Sequence, residues 1–118
     1  MFKLIAFLTR KPGMTLEQFR DHYENSHLPM ARRTFPQILE HRRNYIDQGG
    51  VMFPADGPAP QWDCLAEIWF ESRAGFDSMV ATVMDPKAGA ELREDEVKFL
   101  DSAKTGMLMV EEVKATGL

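Results

Sequence analysis

Cysteine is nearly absent from this chain. Cys64 stands alone among 118 residues, which excludes an intrachain disulfide and a thiolate metal cluster and fits a reducing, cytoplasmic setting. No apolar run approaches the length of a membrane span. The opening MFKLIAFLTRK has too short an apolar part for a secretory signal and lacks a small-residue cleavage site. Positive charge is scarce too: 14 Lys and Arg stand against 18 Asp and Glu, and a formal net charge of -4 argues against a nucleic-acid surface. Arg32, Arg33, Arg42 and Arg43 do cluster, but acidic residues flank them and no aromatic-interleaved basic stripe is present. There is no Gly-rich phosphate loop and no nucleophile elbow. Of the three histidines, His22 and His27 lie five apart, not the three or four that sets two imidazoles on one helical face, and His41 falls on another element. The expectation is a chain without metal, cofactor, nucleic-acid partner or membrane span.

What is present is an ordinary globular composition, 44% hydrophobic and 27% charged, over residues 1–118 as a single domain. The most informative stretch is Thr15 to Pro36. Thr15 is placed to cap a helix, with Gln18 completing a capping box and Met14 and Phe19 at the positions of a hydrophobic staple. Leu16, Phe19, Tyr23, His27 and Met30 follow at spacings of three or four, so His27 falls on the buried stripe. Pro29 removes a backbone donor and disfavours the α conformation at Leu28, which kinks or restarts the helix beside His27. An inward imidazole at a helix break is either a site or a structural histidine serving a carbonyl that the proline has freed.

The remaining elements follow in order. Phe2 to Thr9 is apolar on both alternating sets and reads as a strand buried on both faces. Ile38 to Asp47 reads as an edge strand, and Gln48 to Pro60 as a surface loop placed to overhang a pocket or simply to connect. Asp63 to Phe70 alternates, with Cys64, Ala66, Ile68 and Phe70 on one face and Leu65, Glu67 and Trp69 on the other. Glu67 beside Trp69 either is buried, with a raised pKa, or sits at the wet end of its face. Helices are expected over Gly75–Val83 and Glu91–Leu100, the acidic run of the second being a solvated face. A last strand over Thr105–Val113 also looks buried on both sides. The result is an α+β, ferredoxin-like βαββαβ pattern, a four-stranded antiparallel sheet with helices on one face. Helices from one chain cover one sheet face, so the apolar open face implies a homodimer.

The segment FRDHYENSHLPMARRTFP resembles the EthD family, as do AEIWFES, EDEVKFLD and the terminal MLMVEEV, together covering nearly the whole chain. The resemblance implies a dimeric α/β barrel of ferredoxin-like topology with a ligand cleft between helices and sheet. It also implies relatives that are cyclases, decarboxylases, lactone isomerases and cofactor-free oxygenases acting on small aromatic or polyketide-like molecules. It makes His27 the first catalytic candidate. His22 is the second, although about 140° away around an ideal helix, so that both cannot point into one pocket. Tyr23, Tyr45, Arg43, Glu67 and Trp69 are the substrate-binding candidates, Arg43 for a carboxylate or phenolate. The expected function is cofactor-independent proton-transfer chemistry of the lyase, decarboxylase, cyclase or isomerase type on a small aromatic, lactone or polyketide-like compound. The alternative is a non-catalytic binding or accessory protein for a small hydrophobic ligand.

Overall fold

A computed structural model describes residues 1–115 and 117. The elements run β1 (Phe2–Leu8), α1 (Leu16–His22), a π-helical turn (Tyr23–His27), α2 (Leu28–Thr34), β2 (Glu40–Tyr45), β3 (Cys64–Phe70), α3 (Arg73–Met84), α4 (Pro86–Glu96) and β4 (Gly106–Val110). The four strands form one antiparallel sheet in the order β2-β3-β1-β4. This is the α+β, ferredoxin-like arrangement expected from the patterning. No helix among the described residues is long and apolar enough to cross a membrane.

Register decides what faces the helices. Leu4 pairs with Ile68, Ala6 with Ala66 and Leu8 with Cys64, and all six are buried. On β2 the residues on this same face are His41, Arg43 and Tyr45, opposite Ile68, Ala66 and Cys64. The buried side chains form two clusters. One joins Ala6, Leu8, Cys64 and Ala66 to Phe19, Tyr23, Phe99 and Leu100; the other joins Leu4, Ile68 and Phe70 to Ala31, Phe35 and Met79. Cys64 is an inert core residue whose thiol burial pushes up to about 12.

Several boundaries differ from expectation for identifiable reasons. α3 closes at Asp85, and Pro86 occupies the first turn of α4, whose start is capped by the Asp85 carboxylate accepting from the Lys87 and Ala88 amides at 3.1 and 2.9 Å. The helix therefore begins earlier than Glu91 and ends at Glu96. Gly89 permits the close approach of α4 to α3: a Cβ there would lie 2.3 Å from the Val83 carbonyl oxygen. The last strand stops at Val110 and is an edge strand, so Met107, Leu108 and Met109 are exposed within one chain.

The second sheet face carries Lys3, Ile5, Phe7, Leu65, Glu67, Trp69, Leu108 and Val110, and no helix among the described residues covers it. Lys3 binds Glu67 at 2.6 Å and Glu112 at 2.7 Å and lies 4.5 Å from the centre of the Trp69 ring. Its ammonium holds the Glu67 carboxyl below the usual range, so the raised pKa considered for Glu67 does not arise. The sequence pattern had shown the carboxylate but not that the neighbouring strand supplies its cation.

Candidate active site

The helix that opens at Thr15 is built as its sequence dictates. Thr15 accepts from the Gln18 amide at 3.1 Å while the Gln18 side chain accepts from the Thr15 amide at 2.9 Å. Seven residues later the helix widens into the π turn, where the Leu28 amide reaches back to the Tyr23 carbonyl. Pro29 has no amide for the Asn25 carbonyl and its ring crowds that carbonyl, and the wider turn relieves the clash without ending the helix. Here the geometry corrects the angle expected between His22 and His27, although His27 lines the cavity between sheet and helices and His22 does not. Bonding from residue i to i+5 makes residues five apart neighbours, so His22 and His27 come to one side. An ideal helix would have kept them on different faces.

Both imidazoles meet Asp95 of α4. His22 Nε2–H donates to Asp95 Oδ1 at 2.9 Å, and His27 Nδ1–H donates to Oδ2 at 2.6 Å. Phe99 packs against both rings, with centroids 4.7 Å and 5.0 Å away. Asp95 is thus no part of a solvated acidic face; its side chain is only 12% exposed. Burial lowers the pKa of His27, against the opposing pull of the Asp95 hydrogen bond, so His27 is neutral at neutral pH. With Nδ1 carrying the hydrogen, Nε2 holds the lone pair, and it has no protein partner among the described residues.

His27 lines a cavity of about 340 Å³ between sheet and helices. Its walls draw on both core clusters, so the cavity separates them: Ala6, Leu8 and Phe99 from one, Ala31, Ile68 and Met79 from the other. The polar groups at the wall are Tyr23, His27, His41 and Glu96. Tyr23 Oη and His41 Nε2 share a hydrogen bond of 2.7 Å. Burial raises the phenol and, with Arg43 adding repulsion, lowers His41 to about 4, so both are neutral near pH 7. His41, Asp95 and Glu96 are site residues that the sequence reading left out.

The remaining candidates lie elsewhere. Arg43 is engaged by Glu24, through Nη2 to Oε1 at 2.7 Å and Nε to Oε2 at 2.8 Å, and the Tyr45 hydroxyl also donates to Glu24. Neither Arg43 nor Tyr45 lines the cavity. Glu67 and Trp69 sit on the opposite sheet face, because Cys64, Ala66 and Ile68 take the inward positions of β3. The loop between β2 and β3 contributes no residue to the cavity. Among the described residues no group of three His, Cys, Asp or Glu side chains is arranged to hold a metal ion.

With this geometry in place, comparison with solved structures gives the chain's relatives. An EthD family protein from Bacillus halodurans C-125 is 19% identical at a TM-score of 0.65, covering 96% of this chain and 100% of that one. A dimeric protein with a ferredoxin-like fold from Bacteroides fragilis is 11% identical at 0.56, covering 94% and 95%. The hydroxynitrile lyase of Passiflora edulis is 14% identical at 0.53, covering 97% and 96%. At these identities the likeness is one of fold. No curated protein matches the chain significantly. The EthD domain model matches residues 11–103, and the chain belongs to the EthD family.

Proposed function

We propose that this protein is a cofactor-independent enzyme that moves a proton on a small, largely apolar molecule held between helices and sheet. One observation carries the reading: the His27 Nδ1–H donates to Asp95, which leaves Nε2 as the basic nitrogen of a residue that lines an apolar cavity. A neutral imidazole with a depressed pKa is a competent general base near pH 7. In the proposed step the Nε2 lone pair takes a proton from carbon or oxygen of the substrate. Asp95 at 2.6 Å stabilises the imidazolium, which then returns the proton to a leaving group or to a second position. Lyase, decarboxylase, cyclase and isomerase reactions share that step. The relation of fold to a hydroxynitrile lyase supports this class of chemistry without identifying the substrate.

The protein acts as a homodimer in this reading. Ile5, Phe7, Leu65 and Trp69 lie on a sheet face that no helix covers, with half-exposed Leu108 beside them, and a structural neighbour is dimeric.

The test is His27→Ala assayed on small aromatic, lactone and polyketide-like compounds that the wild-type protein converts. Turnover should fall by about 10²–10⁴-fold with thermal unfolding little changed. Unaltered turnover would remove His27 from the chemistry. Ligand bound stoichiometrically and released at unchanged mass, with no conversion of any compound, would favour a binding protein.

A further inference from the structure

The cavity that holds His27 has no cation at its wall. Its lining is apolar apart from Tyr23, His27, His41 and Glu96, and among the described residues no lysine or arginine contributes to it. The basic residues nearest in the fold are committed or stand outside the wall: Arg43 is bound by Glu24, while Arg32 and Arg93 are exposed and line outer grooves that adjoin the cavity. Both imidazoles at the wall are neutral near pH 7, and Asp95 stands directly behind His27. Glu96, the next residue along α4, is set differently from Asp95. It lines the cavity and also an outer groove with Arg93, Val97, Leu100, Ser102 and Thr105, which puts it where the cavity meets the surface. Among the described residues its carboxyl has neither a hydrogen-bond partner nor an ion-pair partner, whereas every other acidic group discussed above has one.

We propose that Glu96 is the specificity-determining group of the cavity, accepting a hydrogen bond from a hydroxyl of an uncharged aromatic or alicyclic ligand and turning away the corresponding carboxylates. This rests on the reading of the cavity as the substrate site and names the substrate class for it. The physical argument is one of unmet need. A partly desolvated acceptor in an apolar wall is stabilised by a donor from the ligand, whereas a second carboxylate held inside the cavity meets no cation at its wall, Arg93 lying in the outer groove, to offset its own desolvation and the repulsion. Burial and the adjacent Asp95 raise the Glu96 pKa by more than the nearby Arg93, which forms no ion pair with it, lowers it. A ligand held by its hydroxyl at Glu96 lies with its ring in the cavity, towards His27.

The experiment uses 2-naphthol and 2-naphthoate, which share a ring system and differ in the group offered to Glu96. Affinity is measured at pH 7.5 by calorimetry, and the ring resonances of His27 report whether the probe sits in the cavity. Wild-type protein should bind 2-naphthol about tenfold or more tightly than 2-naphthoate and move the His27 signals. Glu96→Gln keeps an acceptor and removes the charge. It should bring the preference to about threefold or less, chiefly through tighter naphthoate binding, and Glu96→Leu should weaken 2-naphthol itself. If 2-naphthol shifts His27 but the preference is the same in Glu96→Gln, the role of Glu96 is overturned while the cavity reading stands. Naphthoate bound as tightly as naphthol by the wild type has the same consequence. If neither probe moves His27, both fall.

Discussion

Two polar clusters grow from the same short length of helix, and they are completed in opposite ways. Glu24 gathers Arg43 and Tyr45 into a set in which the guanidinium and the phenol both donate to the carboxylate. Three residues on, His27, which lines a cavity, gives one nitrogen to Asp95 and has the other without a protein partner among the described residues. Both clusters lie on the helical side of the sheet and both contain a carboxylate. The first has spent its hydrogen-bonding capacity on the fold and has little left with which to bind a ligand. The second keeps a lone pair in reserve. The difference teaches that charge or a shifted pKa does not by itself mark a site: Glu24 is held down to about 2 by Arg43, a large perturbation with a structural cause.

The comparison breaks most sharply at Asp95. Replacing it with alanine should lower turnover by at least about tenfold, because His27 loses the group that fixes its tautomer and stabilises its cation. The pH profile provides a second reading that a purely structural role would not move. His27 has a lowered pKa and must be neutral to act, so kcat/KM should rise through an acid limb whose midpoint lies below 6.5. Asp95 raises that pKa, so its removal should carry the limb to lower pH. A limb above 6.5 in the wild type, or one that stays put in the variant, would separate Asp95 from the proton-transfer group.

Next in size is the opposite cluster. Glu24→Ala leaves Arg43 partly buried and unpaired and should cost about 2 kcal/mol of stability with turnover close to wild type. The pH dependence follows from the sign of the shift. Glu24 has a folded-state pKa of about 2 against an ordinary 4.5, so its contribution is complete above 4.5 and is lost as pH falls towards 2. Acid unfolding followed by circular dichroism should therefore be shallower across that window in Glu24→Gln. A loss of turnover in Glu24→Ala at full stability would erase the division between the clusters. On the uncovered sheet face, Leu108→Arg should convert dimer to monomer by light scattering, and a wild-type protein that is monomeric at all concentrations would remove the dimer.

Much of the fold was readable because its signals are local. The capping box at Thr15, the stripe from Phe19 to Met30 and the alternation of Cys64 to Phe70 each follow from a single short window, and together they give element order and the buried face. The site was less legible because it depends on pairings across the chain. The two histidines were assigned different faces by an ideal helical period, and the π turn that reunites them arises from backbone crowding at Pro29, which a fixed period does not represent. Asp95 was absorbed into an acidic run, although it lies three residues after Leu92 and four before Phe99, on the apolar stripe. His41 shares its strand face with Tyr45, four residues on, and the two-residue period would have carried it to the helical side once that face was known. Glu67 and Trp69 went the other way: their chemistry suggested a pocket, and the parity of β3 put them on the opposite side of the sheet.

The smallest effect tests whether the boundary between the two kinds of cluster runs where it has been drawn, through Tyr23. This residue lines the cavity and has an almost fully buried ring, yet its hydroxyl is shared with His41 at 2.7 Å. Burial keeps the phenol protonated, so it supplies no base near neutral pH, and His41, lowered to about 4, supplies no acid. Tyr23→Phe removes one hydrogen bond and leaves a histidine nitrogen to find water or the ligand, which should cost about 1 kcal/mol of stability. Turnover should change by no more than a few-fold, because the path from Asp95 through His27 to the cavity is untouched. A loss of turnover comparable to that of His27→Ala, in a protein that unfolds at its normal temperature, would show that the tyrosine hydroxyl contacts the reacting atoms. The Tyr23–His41 pair would then belong with His27 as a second proton-handling arm of one site rather than with Glu24 as part of the frame.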